Sequence, residues 1–219
     1  MRATYLILPV LAVLSACGHS VLQRELSTTR TKCGVINTAP PCRYCYTPGK
    51  GKAGESVIYY FHGSGGSEAK WEDPDNFTAA IRKIWKDRGV DHPSVISVSF
   101  GKMWLLTDKS AAPGSGLYEV FTGTVVPYLE KEVLRSAPGE RIILGESMGG
   151  FNAGVFGLRD YGRFARIALV CPLLGIGGEY GGESVASYME WSGANGSNAE
   201  QLYGLRKEFF PTLKDAIER

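Results

Sequence analysis

Residues Gly145-Glu146-Ser147-Met148-Gly149 have the spacing G-x-S-x-G. That spacing can lift a serine hydroxyl out of a sharp strand-to-helix turn. A serine Oγ presented in this way attacks a carbonyl carbon once a neighbouring base takes its proton. The string alone is weak evidence in a chain with 28 glycines. Its context is stronger. Arg141-Ile142-Ile143-Leu144 reads as a strand before it, and the small and apolar residues from Phe151 to Leu158 read as a helix after it. In so tight a turn the residues two positions either side of Ser147 must be small, and Gly145 and Gly149 meet that need. Gly150 lets the helix sit closer still. The backbone of Ser147 is expected to be strained, and the helix N-terminus beside it favours negative charge.

A second motif, His62-Gly63-Ser64-Gly65-Gly66, follows the apolar run Val57-Ile58-Tyr59-Tyr60-Phe61. A glycine-rich turn at a strand's carboxyl end can aim backbone N–H groups at a developing oxyanion. One such donor is expected from Met148, the residue after the nucleophile, and the other from Ser64 or Gly65. A phosphate cradle is the competing use. The turn lacks both the G-K-[ST] ending and the G-x-G-x-x-G spacing that such cradles need.

With Phe61-His62-Gly63-Ser64-Gly65-Gly66, Gly145-Glu146-Ser147-Met148-Gly149-Gly150-Phe151-Asn152-Ala153 and Ala168-Leu169-Val170-Cys171-Pro172, the chain resembles a known group. It is the esterase D and feruloyl-esterase-like group of the α/β-hydrolase superfamily. The resemblance spans about residues 55–172. It implies a serine carboxylesterase with a Ser-His-Asp triad, no cofactor, and a small-molecule or polysaccharide-linked ester as substrate. Ser147 carries over as nucleophile, with Met148 and Ser64 or Gly65 as the oxyanion hole.

The departure from that group lies in the base. The chain order expected after the serine is acid, then His. The three histidines are His19, His62 and His92, and none follows Ser147. His92 precedes a strand whose reactive end lies about 20 Å away at ~3.3 Å per residue. His19 falls in the amino-terminal segment, and His62 belongs to the oxyanion turn and reads as structural. The Glu146 side chain should leave the elbow in another direction. Asp160, Glu179, Glu183 and Asp215 are possible acids, but an acid alone completes no triad. The expectation is an esterase whose last strands, acid and base lie beyond residue 219. The rival is a non-catalytic ligand- or glycan-binding surface lipoprotein on the same fold. In either case this chain should turn over esters very poorly.

These groups need a scaffold, and its elements are readable. Strands are expected at Val57–Phe61, Val95–Phe100, Arg141–Leu144 and Ala165–Cys171, with weaker ones near Thr31–Ile36 and Arg43–Thr47. The continuous apolar runs suit strands buried on both faces. Asn76–Lys86 has an amphipathic helical period, and Leu117–Leu134 is a long helical pattern with a kink expected at Pro127. Strand and helix alternate, so the fold class is α/β, an α/β-hydrolase fold with a mostly parallel sheet and helices on both faces. The last strands are expected to be missing. Gly101–Gly116 leaves a strand's carboxyl end, and its Trp104 is a candidate substrate-binding residue.

Composition sets the surroundings. The 219 residues carry 24 basic and 22 acidic side chains, and a net charge of +2 gives no general attraction to nucleic acid. Met1-Arg2, an apolar run from Tyr5 to Val13, and Leu14-Ser15-Ala16-Cys17 resemble a lipoprotein signal peptide over residues 1–16. Cys17 would be lipidated, residues 17–30 would form a tether, and residues 31–219 the hydrolase domain. The expected location is the cell envelope, by resemblance the bacterial outer membrane, held through the lipid anchor only. Export permits disulfides. Cys42-Arg43-Tyr44-Cys45 has no second ligand pair for a metal, so a disulfide from Cys33 to Cys42 or Cys45 is expected. Cys171 is expected as a buried thiol.

Overall fold

A computed structural model describes residues 31–51, 55–101, 116–160 and 162–173. Among the described residues six strands form one sheet: β1 (Lys32–Ile36), β2 (Cys42–Thr47), β3 (Ser56–Phe61), β4 (Ser94–Ser99), β5 (Glu140–Glu146) and β6 (Arg166–Val170). Their spatial order is β1-β2-β4-β3-β5-β6. The amino-terminal hairpin β1–β2 is antiparallel and lies antiparallel against β4. The pairs β4–β3, β3–β5 and β5–β6 are parallel. Phe61 pairs with Gly145 and Glu146 with Val170, so β3, β5 and β6 bring their carboxyl ends to one edge. This is an α/β-hydrolase architecture, with a mostly parallel sheet and helices on both faces.

Strand alternation divides the core in two. Val57, Tyr59 and Phe61 face one side, where Ile96, Ile143, Phe121 and Phe156 join them. Ile58 and Tyr60 face the other, against Trp71, Val95 and Leu144. Both faces of β3 are therefore dry, as its unbroken apolar run predicts. Helix α1 (Phe77–Asp87) packs Phe77, Ile81 and Trp85 on the second face. Asn76 caps it, with Oδ1 accepting the Phe77 N–H at 2.8 Å. Helix α2 (117–134) and helix α3 (Met148–Arg159) contribute Leu117, Phe121, Leu129, Ala153 and Phe156 to the first face.

At Pro127, where the sequence predicts a kink, helix α2 runs on without a break. It stays helical through Leu117–Val120, Phe121–Val125, Val126–Tyr128 and Leu129–Leu134, the second and fourth stretches being π-helical. Proline has no N–H to give the carbonyl one turn back. The wider turns redistribute the bonding, and the Val126 N–H reaches the Phe121 carbonyl five residues back. The helix ends at Arg135, in the left-handed region at φ 59°.

A disulfide joins Cys33 to Cys45, with Cα atoms 4.0 Å apart. Cys42, a candidate disulfide partner, is instead a free thiol with no exposed surface. Strand register explains the choice: Cys45 lies directly opposite Cys33, whereas Cys42 lies opposite Ile36. Burial pushes the Cys42 thiol up to about 12. Cys171 also differs from expectation. It is exposed, because β6 ends at Val170 and Cys171 turns away with φ 43°. Closing a loop with a sequence separation of 12 removes chain entropy equivalent to ~3 kcal/mol. Thermal melts with a phosphine reductant should therefore show a Tm several degrees lower. An unchanged Tm would mean that the hairpin is not part of the cooperative unit.

Among the described residues no helix is long and apolar enough to cross a membrane.

Candidate active site

The elbow is built by steric necessity. Ser147 sits at φ 50° and ψ −117°, a conformation that costs ~1–3 kcal/mol for a residue with a side chain. A Cβ on Gly145 would lie 2.0 Å from the Gly149 carbonyl oxygen, and one on Gly149 would lie 2.2 Å from the Phe61 carbonyl oxygen. No side chain fits in either place. Three bonds clamp the turn. The Ser147 N–H donates to the Val170 carbonyl, and the Ser147 carbonyl accepts from Phe151 N–H and Leu173 N–H, all at 3.0 Å. Helix α3 begins at Met148, so the Met148 N–H is one of the first amides of the helix, which have no carbonyl to meet within it.

The 62–66 turn rests against this elbow. A Cβ on Gly63 would lie 3.4 Å from Ser147 Cβ. The Gly66 N–H closes the turn on the Gly63 carbonyl at 3.0 Å, and Gly65 adopts φ 79°. Between this turn, Lys70, Glu146 and Ser147 lies an open cavity of about 300 Å³. Ser147, Ser64 and Gly65, singled out in the sequence for one reaction, thus line one cavity. A larger cavity of about 420 Å³ lies beside Glu130, Arg141 and Arg163 and contains none of these residues.

His62 is structural. It is 4% exposed. Its Nδ1 lies 2.7 Å from the Gly63 carbonyl, which can only accept, so Nδ1 carries the proton. Nε2 is then the acceptor for the Ser99 hydroxyl at 2.9 Å, and Ser99 Oγ accepts the Gly101 N–H at 3.1 Å. Both ring nitrogens are committed. Burial holds the His62 imidazole below its usual range, against an opposing pull from the Gly63 carbonyl. The unfolded chain therefore takes the proton first as pH falls below about 6.5, and stability is lost until native His62 also protonates. This contribution is at most ~1.4 kcal/mol per pH unit. Denaturant unfolding at pH 7.5 and 5.5 should show a smaller acid loss in His62→Gln than in wild type. Equal losses would contradict the assignment.

The other candidates lie elsewhere. His92 precedes β4, at the opposite end of the sheet, where its ring stacks on Trp85 with centroids 5.3 Å apart. Asp160 ends helix α3, the far end from Ser147, and pairs with Arg163 at 2.9 Å. Neither described imidazole is directed at Ser147. Trp104, Cys17, His19, Glu179, Glu183 and Asp215 lie outside the described residues, as do the signal and tether segments.

Glu146 does leave the elbow away from a base's position. Its Oε1 accepts the Tyr60 hydroxyl at 2.6 Å, the Gly63 N–H at 3.3 Å and the Asn76 side-chain amide at 3.4 Å. Tyr60 and Asn76 are site residues that the sequence reading missed. Nothing local marks Tyr60, which sits in a uniformly apolar strand. For Asn76 the only signal is its place at the head of the Asn76–Lys86 run, where the structure makes it the cap of a helix that starts at Phe77. No group of residues suited to a metal ion occurs among the described residues.

Solved structures share this fold. One is a ferulic acid esterase, 16% identical, with TM-score 0.57 over 86% of each chain. Another is an S-formylglutathione hydrolase of Staphylococcus aureus, 14% identical, with TM-score 0.52 over 87% of this chain and 76% of that one. A thermostable carboxylesterase from a metagenomic library, 16% identical, aligns with TM-score 0.57 over 92% of this chain and 71% of its own. A family model described as "Putative esterase" matches residues 31–199, most of the chain and the whole of the site described above, and on that match the protein belongs to this esterase family.

Proposed function

We propose that the protein is a serine carboxylesterase that works through an acyl-enzyme on Ser147. One observation carries the proposal. Ser147 is held at φ 50° at the head of helix α3, with the 62–66 turn packed against it. Ser147 Oγ attacks the ester carbonyl carbon, and the carbonyl oxygen becomes an oxyanion. The Met148 N–H and the Ser64 or Gly65 N–H stabilise that charge, and losing one such donor costs ~3 kcal/mol in comparable sites. Collapse expels the alcohol, which leaves with the proton that Ser147 gave up, and the acyl group stays on Ser147. Water then releases the acid.

The serine proton needs an acceptor, and both described imidazoles are committed to other partners. Turnover by this chain should be slow, near the level an oxyanion hole supports without its base. The same observation favours a second reading, a non-catalytic protein that binds a ligand or glycan. Under the esterase reading the substrate is a small-molecule or polysaccharide-linked ester, and Trp104 contributes to its binding. The localisation is part of the proposal: export, lipidation of Cys17, and attachment to the bacterial cell envelope through that lipid.

Incubation with p-nitrophenyl acetate, followed by peptide mass mapping, tests the reading. Acetate should accumulate on Ser147, because the activated p-nitrophenyl ester acylates a hydroxyl faster than the resulting alkyl ester hydrolyses. Acetyl groups scattered over lysines, with none on Ser147, would favour the binding protein.

A further inference from the structure

Glu146 neighbours the nucleophile, yet the chemistry above gives it no part. Its surroundings are specific. A single carboxylate oxygen, Oε1, gathers three donors from three elements: the Tyr60 hydroxyl from β3, the Gly63 N–H from the oxyanion turn, and the Asn76 amide from the head of α1. The Tyr60 contact is short, and the two amide contacts are at the long end of the hydrogen-bond range. Tyr60 has no exposed surface, so its O–H proton would be left without an acceptor if this carboxylate were removed. Asn76 is fixed as well. Its Oδ1 caps α1, while its Nδ2 also reaches the Lys70 carbonyl at 3.2 Å and the Tyr60 oxygen at 3.0 Å.

We propose that Glu146 is a positioning residue, whose Oε1 holds the Gly63 amide and so fixes the oxyanion turn over Ser147. The proposal rests on the esterase reading for its purpose but not for its geometry. Gly63 abuts the elbow, where a Cβ on it would lie 3.4 Å from Ser147 Cβ and 3.6 Å from Glu146 Cγ, and Ser64 and Gly65 follow it directly. Fixing the Gly63 amide fixes where the next two N–H groups point. An oxyanion donor placed ahead of the reaction needs no reorganisation during it, which is the source of its effect. A carboxylate near a forming oxyanion would ordinarily oppose it. Here three donors share the charge of Oε1, and Lys70, whose ammonium pairs with Asp73 at 2.6 Å, also lines the cavity. The acceptor oxygen, and not the net charge, is the working part of Glu146.

The test compares the full chain with Glu146→Gln, which keeps an acceptor oxygen, and Glu146→Ala, which removes it. Amide hydrogen exchange of 15N-labelled protein reports Gly63 directly. Its exchange should quicken at least tenfold in Glu146→Ala and stay within threefold of wild type in Glu146→Gln. Tyr60→Phe removes the donor that anchors Oε1 without touching the elbow. It serves if the alanine variant does not fold, and Gly63 exchange should again quicken at least threefold. The rate of Ser147 capture by a fluorophosphonate should fall tenfold in Glu146→Ala at unchanged reagent affinity, and recover in Glu146→Gln. Gly63 exchange that stays at the wild-type rate in both Glu146→Ala and Tyr60→Phe overturns the proposal. So does a glutamine variant as impaired as alanine. Wild-type protein that resists the reagent altogether defeats the esterase reading instead, and the exchange comparison then decides the role of Glu146 alone.

Discussion

Gly149→Ala should unfold the site. The new Cβ would sit 2.2 Å from the Phe61 carbonyl oxygen and 2.5 Å from that of His62. Both are backbone atoms at the end of the central strand, so no side-chain rotation relieves the clash. Either α3 moves away from β3 or the 62–66 turn is displaced. Such overpacking against fixed backbone belongs with the largest single-residue effects, ~4 kcal/mol or more. The variant should lose most of its cooperative melt or show a Tm lower by more than 10 °C, and should resist fluorophosphonate capture. A control at Gly123, where a Cβ would meet nothing within 4 Å, should leave both properties near wild type. A Gly149→Ala protein that melts like wild type would mean that the elbow is looser than described.

Glu130→Ala should be nearly as damaging to stability while sparing Ser147. Glu130 Oε1 accepts the hydroxyl of Tyr59 at 3.0 Å and the Nε of Arg141 at 2.6 Å, and Oε2 accepts Arg141 Nη2 at 2.8 Å. Tyr59 has no exposed surface, and burial with the adjacent Glu130 carboxylate drives its hydroxyl pKa far up. Removing Glu130 strands a buried hydroxyl and a guanidinium that is 26% exposed. Losing one partner of a largely buried pair costs ~3 kcal/mol. Arg141 stands near the start of β5, and Glu146 ends that strand beside Ser147. Urea titration should show a lower midpoint at an unchanged m-value, and the folded fraction should keep wild-type reactivity at Ser147. A midpoint within 0.2 M of wild type would show that water replaces the carboxylate at little cost, given m near ~2 kcal/mol/M.

What the sequence disclosed follows from how local each constraint is. The elbow is legible because its sterics lie within five residues, and only glycine fits at 145 and 149. The buried strands β3 and β5 are legible because both their faces are dry. The disulfide partner of Cys33 depends on strand register, which spacing alone does not fix between Cys42 and Cys45. Pro127 predicts a kink in local terms, and the π turns on either side of it, with Phe121, Val125 and Leu129 packed in the core, are set by tertiary context. Cys171 belongs to an apolar run, and only the end of β6 at Val170 turns it outward. The Tyr60–Glu146–Asn76 cluster joins positions up to 86 apart, so no window of sequence contains it.

The proposed esterase stands or falls with Ser147 as a nucleophile set beside an oxyanion hole. The direct measurement is covalent capture by a fluorophosphonate, whose phosphorus is attacked by serine Oγ with loss of fluoride. Peptide mapping by mass spectrometry locates the adduct, with Ser147→Ala as control. One adduct per chain is expected, on the peptide carrying Ser147, absent from the alanine variant and from denatured protein. An adduct elsewhere, or none on native protein at millimolar reagent over a day, would contradict it.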